Sequence, residues 1–199
     1  MLKNRTMWLS RLDAPNLNDG NESGKYGSPG MCKRTYVGCF SYGRAESAAM
    51  WGMYCAPNPK AVRILITPEG MNAWKKYLAV TSRVEAFPIY GSDSKDCKWR
   101  ARATVECAGI TDVLYAAVKN RVEDPERAND LYWNFTHVRI EDFQDWIKDK
   151  DVGGFLKDYE WRYEQETRLY VRLSSMPRGI TKLAIRIPDK VFGAMSIVL

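Results

Sequence analysis

The chain has 199 residues, 45% hydrophobic and 27% charged, which is globular composition with length enough to build a core and excludes disordered and fibrous classes. Thirty Lys and Arg against 24 Asp and Glu leave a formal charge of +6. That excess attracts polyanions such as nucleic acid, but no run of five or six like charges forms a dedicated basic arm.

The five cysteines, Cys32, Cys39, Cys55, Cys97 and Cys107, are odd in number and widely spaced, with no CxxC pair. Both a disulfide framework and a zinc site are therefore unexpected. The single histidine, His137, excludes mechanisms built on paired histidines, and packing or hydrogen bonding is its expected job. No stretch reaches the roughly 20 apolar residues of a membrane span, and the amino terminus lacks an apolar leader. The expectation is a cytoplasmic protein without a membrane partner.

In chain order, residues 7–12 read as a short opening strand, followed by a turn-rich loop over 13–30 that contains Asn18 and Asp19. Residues 35–41 read as a strand, 46–55 as a short helix with Pro57 beyond its end, and 60–67 as a strand between prolines. A helix over 69–80 starts after Thr67 as cap and Pro68 in the first turn. Residues 98–107 alternate as a half-exposed strand, 111–117 form another strand candidate, and 141–148 suit an amphipathic helix. Residues 161–173 read as a strand, although Arg162/Glu166 and Glu164/Arg168 also stand four apart as helical pairs. Residues 181–187 alternate as a strand, and 191–199 read as an apolar central strand. The expected architecture is α+β: a single domain over 1–199, with a mostly antiparallel, split sheet and inserted helices.

Two places suggest chemistry. On the 161–173 strand, side chains two apart share a face. One face then carries Arg162, Glu164, Glu166, Arg168, Tyr170 and Arg172; the other carries Trp161, Tyr163, Gln165, Thr167, Leu169, Val171 and Leu173, which read as mostly core. Carboxylates about 7 Å apart, bracketed by guanidiniums, make either a solvated face laced with ion pairs or a binding site. The second place is Ser41 at a strand end, followed by Trp51 and Tyr54 on the next helix, an aromatic wall suited to a planar ligand. The plainer reading packs both rings between helix and sheet. Cys39 lacks a sequence-near base and is not expected to be a nucleophile. The glycines match neither phosphate-binding loop spacing. Tryptophans interleaved with Arg100, Arg102 and Arg121 are capable of stacking bases, though most tryptophans are expected in the core.

Taken in order, Asn18-Asp19, Cys39-Phe40-Ser41, Met50-Trp51-Gly52-Met53-Tyr54, Lys157-Asp158 and Trp161 to Arg168 resemble a bacterial and phage family of unknown function. The likeness spans most of the chain, and its last motif is the specific one. The layout also resembles ADP-ribosyltransferases of the Arg-Ser-Glu type, whose split sheet grips NAD. That resemblance implies Glu166 as the catalytic glutamate and Glu164 as its auxiliary. It implies NAD contacts from Ser41, Trp51, Tyr54, Arg168, Arg162, Asn18 and Asp19, with no metal. The family's opening basic residue has no clear counterpart here beyond Arg5 or Arg11.

The implied function is NAD-dependent transfer of ADP-ribose to a macromolecule, as a toxin or phage-defence effector. The basic charge favours RNA or single-stranded DNA as acceptor, and an antitoxin protein is the implied neutralising partner. The rival expectation is a non-enzymatic nucleic-acid- or protein-binding module that uses the Arg/Glu face for recognition. A hydrolase using the glutamates with a metal ion is a third, disfavoured by the lack of further clustered acids or histidines.

Overall fold

In the computed structural model, residues 5–14, 29–41, 63–88, 101–116, 155–175 and 179–198 are described. The elements are β1 (Thr6–Arg11), one-turn α1 (Pro29–Cys32), β2 (Thr35–Ser41), β3 (Arg63–Ile66), α2 (Pro68–Ala79), β4 (Arg83–Pro88) and β5 (Ala101–Asp112). They continue with β6 (Leu114–Ala116), β7 (Leu156–Asp158), a 3-10 helix (Tyr159–Glu164), β8 (Glu166–Leu173), β9 (Ile180–Arg186), α3 (Asp189–Phe192) and β10 (Met195–Val198).

Six strands pair in the order β1-β2-β8-β5-β4-β9, and β9 returns to β1, so the sheet closes into an antiparallel barrel. Mixed α/β content and a mostly antiparallel sheet match the sequence reading. Closure is the correction: a split sheet was expected. The β1–β2 seam is the lightest, with only Ser10–Val37 and Arg11–Tyr36 in register. Closing the ring pairs backbone groups that an open sheet would leave at its edges.

Alternation of side chains sorts each strand into an inward and an outward row. Leu9, Tyr36, Val84, Leu169, Val171, Leu183 and Ile185 are buried together and point inward, where burial of apolar surface stabilises the fold. Gly38 stands opposite Leu169. A Cβ there would come within 2.3 Å of the Met7 Cε and 2.9 Å of the Leu9 Cδ2, so the bare backbone leaves room for the β1 side chains.

Helix α2 contributes Trp74 and Leu78 to the same core, at the three-to-four-residue spacing of one helical face. Its start follows the sequence signal: Pro68 occupies the first turn, and the Thr67 Oγ1 accepts the Gly70 N–H at 3.2 Å. Thr67→Ala is expected to cost about 1 kcal/mol, seen as a lower urea midpoint with an unchanged slope. An unaltered midpoint would mean that this cap contributes nothing.

Two further corrections concern the chain's end. Residues 191–199 are not a central strand: α3 occupies 189–192, and among the described residues β10 pairs only with β3, in a two-stranded sheet. Residues 161–173 are not one strand either. The 3-10 helix ends at Glu164, Gln165 takes a left-handed φ of 45°, and the ladder begins at Glu166. The expected helices over 46–55 and 141–148 and the loop over 15–28 lie outside the described residues. No helix among the described residues is long and apolar enough to cross a membrane.

Candidate active site on the outer face of β8

Outward-facing residues of β8 are Glu166, Arg168, Tyr170 and Arg172; beside them β2 places Ser41, Cys39, Val37 and Thr35, in that register. On the other flank, β5 sets Thr111 opposite Arg168 and Gly109 opposite Tyr170. The β8 row of this face is largely covered, while Cys39 and Ser41 beside it stay exposed. The segment 155–164 roofs it: Phe155 meets Tyr170 edge-on at 4.9 Å between ring centroids. β7 pairs in parallel with β6, which holds that segment against the end of β5.

Under this roof lies a buried ionic cluster. Glu164 is 2% exposed, Glu166 5% and Arg168 1%. The Lys157 Nζ lies 2.5 Å from a Glu164 oxygen and 2.8 Å from a Glu166 oxygen, bridging the two acids. Arg168 forks onto Glu166, its Nε donating to Oε1 at 2.6 Å and its Nη2 to Oε2 at 3.1 Å. Two carboxylates and two cations thus balance, as burial of charge demands. The Lys157 Nζ also sits 5.4 Å from the Trp161 ring centre, a cation–π contact on its outer side.

Backbone bonds lock the geometry. The Ser41 Oγ donates to the Glu164 carbonyl at 2.8 Å, joining the end of β2 to the end of the 3-10 helix. The Glu166 N–H donates to the Tyr115 Oη at 2.7 Å, and the Glu166 carbonyl accepts the Val113 N–H at 2.9 Å. The turn at Gln165 lets Glu164 and Glu166 reach one cation even though they sit on different elements.

Burial by itself would raise the pKa of Glu166. The Arg168 guanidinium, the Lys157 ammonium and the Cys39 thiol outweigh it and hold the carboxyl down at about 2. Cys39 keeps an exposed edge. Desolvation, the largest influence, nonetheless pushes its thiol well up; Arg168 opposes this and Glu166 adds to it. A thiol in that state is a poor nucleophile. Burial likewise pushes the Tyr115 phenol up, so it serves as a neutral hydrogen-bond partner.

Of the residues expected at a site, the structure brings together Ser41, Glu164, Glu166 and Arg168. Arg162 lies apart from the buried cluster, exposed on the 3-10 helix, and so does Tyr163, which was expected in the core. Trp51, Tyr54, Asn18 and Asp19 lie outside the described residues. Sequence reasoning missed Lys157 and Tyr115. Lys157 had one faint signal, its place just ahead of the Trp161–Arg168 motif; Tyr115 had none. No grouping of three or more His, Cys, Asp or Glu suited to a metal ion occurs among the described residues.

Comparison with known proteins adds no name to this arrangement: no family model, no curated protein and no solved structure matches the chain.

Proposed function

We propose that the chain is an NAD-dependent ADP-ribosyltransferase-like enzyme, with Glu166 as its catalytic carboxylate and Glu164 as the auxiliary acid. The observation that carries this reading is the convergence of Ser41, Glu164 and an ionised Glu166 where β2 meets β8. In such a reaction the nicotinamide–ribose bond breaks and its electron pair departs with nicotinamide. Positive charge develops on the ribose, and an acceptor nucleophile attacks that carbon and loses its proton. A carboxylate kept negative by Arg168 and Lys157 suits stabilisation of that charge and acceptance of a ribose hydroxyl. Arg168 and Lys157 also suit a pyrophosphate. NAD then has to exchange places with part of the 155–164 roof, because Glu166 is covered. The net charge of +6 favours RNA or single-stranded DNA as the acceptor.

The same burial favours a second reading, in which the cluster is a clamp that fastens residues 155–164 to the barrel. The protein is then a non-enzymatic binding module. Arg168 and Arg172 are both buried, so its recognition surface lies elsewhere than on the β8 face. The test supplies purified protein with labelled NAD and, separately, RNA, single-stranded DNA and protein acceptors. The transferase reading expects label transfer that Glu166→Gln abolishes. Ser41→Ala, which forfeits one hydrogen bond, should reduce transfer while leaving the thermal midpoint nearly unchanged. Wild-type protein that releases no nicotinamide with any acceptor class would end the transferase reading and leave the clamp.

A further inference from the structure

A second outward sector of the barrel, formed by β1, β9, β4 and the start of β5, carries a different chemistry. Register aligns Thr6 with Arg186, Trp8 with Ala184 and Ser10 with Lys182 across β1–β9. It then aligns Ala184 with Glu85 across β9–β4, and Arg83 with Thr104 and Glu85 with Arg102 across β4–β5. All of these positions share the parity opposite to the core residues Leu9, Leu183 and Val84.

Trp8 is 42% exposed in the middle of this sector, and Arg83, Arg102, Thr104 and Arg186 are exposed around it. Four cations, Arg83, Arg102, Lys182 and Arg186, share the sector with one acidic position, Glu85. A tryptophan that keeps this much of its surface exposed on a basic sheet face forgoes burial that the core would reward.

At the end of the same sector is a cavity of about 440 Å³. Its lining includes Arg5, Arg83, Arg186, Thr6, Thr81 and Tyr77, with no acidic residue. Asp189 pairs with Arg5, whose guanidinium also lies 4.9 Å from the Phe192 ring centre, and stands 3.9 Å from the Arg186 Nη2, a highly exposed pair that solvent weakens. Helix α2 ends here, and two of its last carbonyls are already engaged. The Tyr77 carbonyl accepts the Val80 N–H and the Thr81 Oγ1, and the Leu78 carbonyl accepts the Thr81 N–H. The charged groups that line the cavity are the guanidiniums of Arg5, Arg83 and Arg186.

We propose that this sector binds a single-stranded nucleic acid, with a base stacked on Trp8 and phosphates on Arg83 and Arg186, one of them seated in the cavity. Charge complementarity identifies a polyanion, and the exposed indole selects one with accessible ring faces. A duplex keeps its base faces stacked internally and offers none to Trp8. An acidic peptide matches the charge but not the stacking. The sector lies on different strands from the Glu166 cluster, and the inference stands without the transferase reading.

The test uses the full chain without NAD, titrated against fluorescein-labelled oligouridylate and oligothymidylate at several salt concentrations. Binding is expected to weaken linearly on a logarithmic salt scale, with a slope of about 0.7 per phosphate contacted. The double substitution Arg83→Ala/Arg186→Ala should lower that slope by about 1.4. Trp8→Ala should weaken binding roughly tenfold with the slope unchanged, whereas Trp8→Phe retains most of it. These side chains are exposed, so circular dichroism melts of the variants should follow wild type; for a variant that misfolds, Trp8→Phe and each single arginine substitution carry the test. Absence of binding at low salt, stronger binding of a duplex or of polyglutamate, or indifference to both Trp8→Ala and the arginine pair would overturn the proposal.

Discussion

Lys157→Met is expected to destabilise the protein by about 3–5 kcal/mol, because it strips the shared cation from two buried carboxylates. Glu164 and Glu166 are 2% and 5% exposed, and Lys157 lies 2.5 and 2.8 Å from them. Methionine fills similar space but leaves Glu164 without this ammonium. Glu166 keeps its forked pair with Arg168, so the loss should concentrate on Glu164 and on the roof. Urea denaturation gives the cost directly. The double substitution Lys157→Met/Glu164→Gln should cost less than the two single ones added, by about 0.5–3 kcal/mol. The ion pair of Arg5 with Asp189, whose side chains are half-exposed or more, is the internal control, worth about 0–1 kcal/mol. If Lys157→Met proves no costlier than Arg5→Ala, the cluster is not dry and the roof is open in solution.

Acid should loosen the fold through Glu166. Its carboxyl is held at about 2 in the folded protein against an ordinary value of 4.5. A carboxyl whose folded value is depressed contributes stability that is fully present above the unfolded value. That stability disappears as pH falls towards the folded value. The contribution is about 3 kcal/mol at neutral pH, and it should be lost between about pH 4.5 and 2. Stability measured across that window should fall more steeply for wild type than for Glu166→Gln, which starts lower and has no carboxyl to protonate. Parallel curves would mean that Arg168 and Lys157 do not favour the ionised carboxylate. The first structure to detach is expected to be the 155–164 roof, since Lys157 ties it to Glu166 of β8. Hydrogen exchange at the Glu166 and Val113 amides, which are bonded to the Tyr115 Oη and the Glu166 carbonyl, would report that detachment.

Both predictions rest on a face that the sequence marked as unusual but described wrongly. Arg162, Glu164, Glu166 and Arg168 were legible as charged residues with no aliphatic neighbour. Their alternation suggested a continuous strand, because period-two spacing looks the same whether or not the backbone turns once. Gln165, at a φ of 45°, breaks the period without altering the spelling. Arg162 thereby leaves the row, and Glu164 stays only because the turn swings it back over Lys157. Nor did the sequence show that the face is covered. Solvation depends on what lies above a strand, and the roof comes from residues whose pairing, β6 with β7, spans forty residues of chain.

Local signals fared better where one element satisfied its own needs. The start of α2 was fixed by Thr67 and Pro68, since cap and first-turn proline act within one turn. Strand β2 was legible over 35–41 from its β-branched and aromatic run. The misreading of 191–199 shows the limit: an apolar tail looks like a central strand, yet α3 takes its first residues and β10 pairs with the short β3.

What the sequence determined alone is therefore local and compositional: a basic globular chain, the capped helix α2, the edges of several strands, and two acids with arginines nearby. The tertiary structure alone decided that the sheet closes, that Lys157 arrives to bridge Glu164 and Glu166, and that Trp8 shares an outward sector with cations of three other strands. The physical reason is common to all three. Hydrogen bonding and side-chain alternation are read from neighbours in the chain, whereas burial, charge pairing and strand order are set by residues brought from far away.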